Sequence, residues 1–162
     1  MQIPRIDRTD RRILDVLQHQ GRITNAELAE RVQLSASACL RRVQRLEEAG
    51  VIAGYAARIE PQAVGLGLQA FVRVQLKQHD GATIERFVRL VNDWDEVAAC
   101  HALTGDMDYL LHIHVEDLDH FSRFLLDQLL NTAGVADVNS SFVLRTVKQA
   151  AALPLGRRDA SA

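Results

Sequence analysis

The chain has 162 residues, 25% of them charged and 48% apolar, the ordinary balance of a folded protein with one domain or two small ones. No apolar run is long enough to span a bilayer, Met1–Asp10 lacks the apolar stretch of a signal peptide, and two cysteines are too few for a disulfide framework. A reduced, cytoplasmic setting is therefore expected. The net charge of −2 divides unevenly: residues 1–60 carry ten Arg against eight Asp and Glu, and residues 61–162 carry nine Lys and Arg against thirteen. The basic excess lies in the N-terminal part, as suits a chain of which one domain meets phosphate.

Asp7 is placed to cap a first helix, and Asp10 puts a carboxylate near the helix's positive end. Ile13, Val16 and Leu17 follow helical spacing, and Gly21 closes the segment. Thr24 with Glu27 makes a capping-box pattern ahead of a short second helix, whose Leu28 and Val32 share a face beside the small Ala29. Ser35 is placed to cap a third helix running to about Ala49 and closed by Gly50. Two short helices joined through Val32-Gln33-Leu34-Ser35 predict a helix-turn-helix. Gln33 stands at the turn position that favours positive φ, where a left-handed Gln costs on the order of 1 kcal/mol.

The helical wheel of the third helix gathers Ala36, Cys39, Leu40, Val43 and Leu46 on one side, expected to pack inward. Ser37, Arg41 and Arg45 gather opposite, with Ala38 between them and Arg42 at the margin. Hydroxyl and guanidinium groups on an exposed helix suit the major groove, where Arg bonds guanine bidentately or clamps phosphate. The alternative is a merely solvated face, but the short capped helix and four-residue turn ahead of it favour DNA. The candidate DNA-binding residues are Ser35, Ser37, Ala38, Arg41, Arg42 and Arg45. Val51 to Ile59 is partly β-prone and reads as a wing or connecting strand, and Pro61 with Gly65-Leu66-Gly67 marks a boundary. The expected domains are 1–60 and 61–150, followed by a partly ordered tail, 151–162.

The second domain begins with Gln69–Leu76, which alternates as a strand, and continues with helical spacing at Ile84, Phe87, Val88 and Val91. Val97–Thr104 and Tyr109–Val115 read as strands around Gly105-Asp106-Met107-Asp108. Leu118–Leu130 reads as a helix with Phe121, Leu125 and Leu129 aligned, and Val135–Val147 as the last strand. The order β-α-β-β-α-β predicts a ferredoxin-like, four-stranded antiparallel sheet with two helices on one face. The other face is expected to be apolar and buried by homodimerisation. The fold class is thus α+β: a helix-turn-helix, winged-helix-like domain followed by a ferredoxin-like domain.

The chain resembles the leucine-responsive and asparagine-operon (Lrp/AsnC, feast/famine) regulators over roughly residues 5–155. The resemblance is carried by Asp10-Arg11-Arg12-Ile13-Leu14, Gly21-Arg22-Ile23-Thr24-Asn25, Leu28-Ala29-Glu30-Arg31-Val32 and Leu34-Ser35. It continues through Cys39-Leu40-Arg41-Arg42-Val43, Leu46-Glu47-Glu48-Ala49-Gly50-Val51-Ile52, Cys100-His101, the run from Thr104 to Leu111, Gly134-Val135, Ser141-Phe142-Val143 and Val147-Lys148. Gln33 stands where that family usually has Gly, and Ala36 where Pro is common. The resemblance implies double-stranded DNA as partner and homodimers formed through the ferredoxin-like domain, which assemble further into tetramers of dimers. It also implies an amino-acid effector bound between dimers at Ala102, Thr104, Gly105, Asp106, Asp108, Leu118, Ser141, Phe142 and Val143. Asp108 is the expected ammonium partner, and backbone N–H groups around Gly105 the carboxylate donors. The same Gly-Asp pattern also suits a hairpin turn.

No cofactor, metal or membrane partner is expected. His112 and His114 share a strand face, with Cys100 and His101 on another strand, but no Cys/His spacing matches a zinc pattern. Cys39 falls on the inward side of its helix and reads as a core residue. No phosphate loop or nucleophile–base arrangement appears. Two alternatives remain: an enzyme similar to the sirohaem decarboxylases, which the intact Ser37/Arg41/Arg45 face disfavours, and a DNA-compacting protein with no effector.

Overall fold

The computed structural model describes residues 5–149 and 152–155. These form two compact units, one built on the chain up to Arg58 together with the segment from Lys148 on, the other spanning Ile59–Val147.

The first unit holds three helices, α1 (Arg8–His19), α2 (Asn25–Val32) and α3 (Ala36–Glu48). Each begins where a side-chain oxygen takes up an orphan N–H. Asp7 with Asp10 and Thr24 with Glu27 both close reciprocal capping boxes, and Ser35 accepts from the Ala38 N–H. Ile13, Leu28, Ala29, Val32, Cys39 and Leu46 form the buried core of the three helices. Burial pushes the Cys39 thiol above its ordinary pKa, in keeping with a packed rather than reactive sulfur. The inward face of α3 is narrower than the wheel suggests: Ala36 is exposed and Leu40 is 45% exposed. Only Cys39 and Leu46 of that helix are fully covered, because a helix resting on two others buries a narrow stripe of its surface.

No strand forms between Val51 and Glu60, contrary to the β-prone reading of that stretch. No described strand of this unit lies beside it to complete a ladder, so the segment stays extended and is exposed from Ala53 onward. Tyr55 fastens it to α3 by donating to Glu47 Oε1 at 2.9 Å, and partial burial with the Glu47 charge pushes the phenol pKa up to about 12. The C-terminal segment also belongs to this unit. The Leu153 N–H donates to Gln18 Oε1 at 2.9 Å, and Gln18 Nε2 donates to the Leu153 carbonyl at 3.2 Å. Arg58 donates to Gln149 Oε1 at 2.7 Å. Gly156, Arg157 and Arg158 of the expected tail lie outside the described residues.

The second unit is a four-stranded antiparallel sheet in the order β2-β3-β1-β4, with β1 Leu68–Leu76, β2 Val97–Ala102, β3 Tyr109–Val115 and β4 Val135–Phe142. A 3-10 turn, Pro61–Val64, precedes it. Helix α4 (Gly81–Asp93) connects β1 to β2, and α5 (Leu118–Arg123) lies between β3 and β4. This is the ferredoxin-like arrangement. The period-2 pleat sends Ala70, Val72, Val74 and Leu76 to one face with Tyr109, Leu111, Ile113 and Val115. Phe87, Val91, Phe121, Phe124 and Leu129 of the helical segments cover that face. Trp94 stands edge-on to both Phe87 and Phe124.

Two elements depart from the sequence pattern. Helix α5 widens into a π-helical segment over Phe124–Leu129, closed by the Leu130 N–H on the Leu125 carbonyl at 2.9 Å. The wider turn brings Phe124 and Leu129 into the core and leaves Leu125 half-buried, so even spacing at four residues does not hold. Strand β4 ends at Phe142 instead of Val147 because β1, its partner, runs out: Phe142 lies opposite Ala70, and the Val143 N–H reaches Gln69 near the strand's start. The outer sheet face is also less apolar than expected. Phe71 and Leu110 lie there among Gln69, Arg73, His112, His114 and Asn139, with Phe71 stacked on His112 at 4.7 Å. Its alternate positions are filled by long polar and imidazole side chains rather than by aliphatic ones.

Candidate functional site

The helix-turn-helix is locked by hydrogen bonds local to the turn. Gln33 adopts φ 59°, ψ 49°, the left-handed conformation its position calls for, and lets the Leu34 N–H reach the Ala29 carbonyl at 2.9 Å. Asn25 Nδ2 donates to the Ala36 carbonyl at 2.9 Å, so the start of α2 is stitched to the start of α3. The orientation of α3 is therefore set before any ligand arrives.

The six candidate DNA contacts take different places on this helix. Ser35 is the cap, its hydroxyl engaged by Ala38 N–H and 3.4 Å from Ser37 Oγ. Ser37 and Arg41 are exposed, and Ala38 is half-buried. Arg42 and Arg45 turn toward α1. Arg42 Nη1 donates to Asp7 Oδ2 at 2.7 Å and to Asp10 Oδ1 at 2.8 Å, and Arg45 Nη2 donates to Asp10 Oδ2 at 2.6 Å. The Asp10 side chain is fully buried, whereas those of Arg42 and Arg45 remain 31% and 49% exposed. Partial burial raises the Asp7 carboxyl, but the Asp10 N–H and Arg42 outweigh it and hold the group below the usual carboxylate range. The two carboxylates hold Arg42 charged in turn.

Sequence reasoning passed over Gln44. It is exposed and shares one stripe with Ser37 and Arg41, at offsets of seven and three residues. An amide at such a place is suited to an adenine edge. The wheel alone shows the position; attention to charge hid it.

The structure separates the nine candidate effector residues into two groups. Ala102, Thr104, Gly105, Asp106 and Asp108 cluster at the β2–β3 turn, beside the end of β1. Ser141, Phe142 and Val143 stand at the opposite end of the sheet, where Phe142 pairs with Ala70, and Leu118 follows the far end of β3. Between Ala70 and Leu76 a strand covers roughly 20 Å at about 3.3 Å per residue. One chain does not bring the two groups together.

Asp108 is half-buried and already engaged. Its Oδ2 accepts from the Leu76 N–H at 2.7 Å, and its Oδ1 lies 2.7 Å from His79 Nε2. The Leu76 bond, aided by His79 against the pull of partial burial, holds the carboxyl below its ordinary pKa. Its backbone closes the hairpin, accepting from the Leu103 N–H at 2.8 Å and donating to the Val74 carbonyl at 2.9 Å. Asp108 therefore ties the turn to β1, a role the sequence left level with ligand binding. Gly105, at φ 117° with open space around it, leaves the neighbouring loop backbone uncovered. Among the described residues no group of three or more His, Cys, Asp or Glu side chains is arranged to hold a metal ion, and no helix is long and apolar enough to cross a membrane.

Residues 6–53 match a winged helix-turn-helix DNA-binding family, and residues 69–153 match the Lrp/AsnC ligand binding domain. The Leucine-responsive regulatory protein of Escherichia coli strain K12 is 40% identical over 153 residues, 94% of this chain and 93% of that protein. A transcriptional regulator from Neisseria meningitidis, solved as its L-methionine complex, is 50% identical with a TM-score of 0.90, over 93% of this chain and 97% of that one. A feast or famine regulatory protein from M. tuberculosis complexed with L-methionine is 34% identical with a TM-score of 0.79, over 90% and 97% of the two chains. With its capped helix-turn-helix joined to a ferredoxin-like ligand domain, the chain belongs to the Lrp/AsnC family: it is a DNA-binding transcriptional regulator.

Proposed function

We propose that this regulator reads near-palindromic operators through the outward stripe of α3 and responds to a free amino acid with an uncharged side chain, methionine first among those to test. The observation that carries the DNA reading is the exposed row Ser37, Arg41 and Gln44 on a helix locked at its N-terminus by Ser35 and Asn25. In this reading Ser37, Arg41 and Gln44 face base edges, Ser35, Ala38 and Arg45 lie along the margin toward phosphate, and Arg42, held by Asp7 and Asp10, braces the helix instead of contacting DNA. Two such helices in a homodimer meet half-sites about one helical turn, or a multiple of it, apart. The division of labour is DNA binding within residues 1–60, effector binding and assembly within 61–150, and a tail beyond. The protein acts where its DNA is, in the cytoplasm, as a regulator rather than an enzyme.

The effector reading rests on two features. The L-methionine complexes of the Neisseria and M. tuberculosis relatives make an amino acid the ligand class to expect. The candidate residues fall at opposite ends of one sheet, so the site is completed only when copies meet, the loop of one chain approaching the Leu118, Ser141, Phe142 and Val143 end of another. In this reading the ammonium takes the lone pairs that Asp108 keeps beyond its bonds to Leu76 and His79, since a carboxylate has about four acceptor sites. Thr104, Gly105 and Asp106 shape the backbone that receives the carboxylate, and Ala102, Leu118, Phe142 and Val143 offer apolar contact.

The deciding experiment for the DNA assignment is Arg41→Ala on a selected operator. A base-reading Arg41 costs about 1–3 kcal/mol on removal and relaxes preference at one position. Unchanged affinity and preference would overturn the α3 assignment.

A further inference from the structure

We infer that Asp10 is a positioning residue for operator selectivity, restraining Arg42 and Arg45 so that their charge does not act as free phosphate affinity. The inference rests on the reading of α3 as the DNA-facing helix. Asp10 is completely buried, and burying a carboxylate is costly unless it is paired and hydrogen-bonded. Its partners are two guanidiniums from one helix, three residues apart, at 2.8 and 2.6 Å, while Oδ2 also accepts from the Asp7 N–H at 3.1 Å. Asp7, the cap of α1, adds a second carboxylate to Arg42 at 2.7 Å, so two acids at the start of α1 face two bases on α3. The pairs span 32 to 35 residues of sequence, and they join α1 to the helix proposed to read bases.

The arrangement has two consequences for binding. Arg42 is committed from both sides and contributes little free charge to non-specific contact. Arg45 is held at one Nη only and is 49% exposed, so its remaining N–H donors point from a fixed base rather than from a mobile chain. Restraint of a long side chain before binding lowers the ordering cost of a specific contact. It gives no comparable advantage at random sequence, where a mobile guanidinium finds phosphate equally well. Selectivity is the quantity that Asp10 raises.

The test uses the full chain and short duplexes with and without a selected operator, titrated over a series of salt concentrations. Asp10→Asn frees Arg45, whose one carboxylate partner it is, while Arg42 keeps Asp7. The dependence of non-specific binding on salt should steepen by about one unit per half-site, since each newly neutralised phosphate adds about 0.9 to the slope. The ratio of specific to non-specific affinity should fall about three- to tenfold, the equivalent of one immobilised long side chain. Asp10→Glu should recover part of that ratio. A domain merely loosened by the substitution would lose both affinities in parallel and keep the slope. Arg42→Gln, which leaves Asp10 paired with Arg45, guards against a misfolded Asp10 variant: it should leave the slope unchanged, whereas a drop of about one unit would make Arg42 a phosphate contact and overturn the inference. Weakened operator binding by Arg41→Gln together with an unmoved slope and ratio in Asp10→Asn would overturn this inference alone. Unaltered binding by Arg41→Gln would remove the α3 reading beneath it.

Discussion

Gln33 offers a clean measurement of backbone strain in the DNA-binding unit. It is the one non-glycine residue with positive φ among the described residues, at φ 59° and ψ 49°. Its side chain is exposed and makes no hydrogen bond to the described residues, so replacing it breaks none of their hydrogen bonds. An L side chain in this region costs on the order of 1–2 kcal/mol. Glycine relieves that cost but loses roughly 0.5–1 kcal/mol more backbone entropy on folding. Gln33→Gly should therefore stabilise the unit by about 0.5–1 kcal/mol, and a domain of this size moves by about 4–8 °C per kcal/mol. The expected rise is about 2–8 °C in the helical circular-dichroism transition. Trp94, the single tryptophan, packs in the other unit, so its fluorescence transition should stay in place and serve as internal control. Gln33→Ala keeps the Cβ and should differ little from the parent, and Gln33→Val should be less stable because a β-branched residue tolerates this region poorly. A glycine variant no more stable than the parent would show that the turn at Gln33 carries no strain, and the reasoning would fail.

Two further outcomes follow from the ligand-domain geometry. Asp108→Asn keeps an oxygen for the Leu76 N–H and removes the charge; the fold should persist while methionine affinity in isothermal titration drops more than tenfold, as loss of a desolvated charge partner typically costs about 2–5 kcal/mol. Equal affinities would leave Asp108 as a turn residue and send the ammonium elsewhere. His112 has a folded pKa below its ordinary value of 6.5, first through burial and then through the neighbouring His114 and His101, so the unfolded chain binds more protons. Its contribution to stability is fully present above pH 6.5 and is lost as pH falls through that value toward the folded pKa. The Trp94-reported melting temperature should decline over that window and decline less in His112→Gln; an identical decline in both would refute the assignment.

What the sequence determined lies within a few residues of itself. Asp7 with Asp10, Thr24 with Glu27, and Ser35 with Ala38 set the helix starts through bonds three residues long, and their residue types reveal them. Alternation over Gln69–Leu76 marked β1 as a strand, because the pleat has period two. The ferredoxin-like order followed from element order alone. Tertiary structure decided what those local rules do not reach. Asp10 carries the pattern of a first-turn carboxylate, yet its main partners sit on α3, more than thirty residues away, so its restraint on Arg42 and Arg45 is invisible in the linear chain. Asp108 could be a turn residue or a ligand group by composition, and its bonds to Leu76 and His79 exist only because β3 lies against β1. Leu40 belongs to an apolar pattern but is left 45% exposed. Strand β4 stops at Phe142 although its β-prone residues continue, because a strand lasts only as long as the partner whose N–H and C=O groups it satisfies.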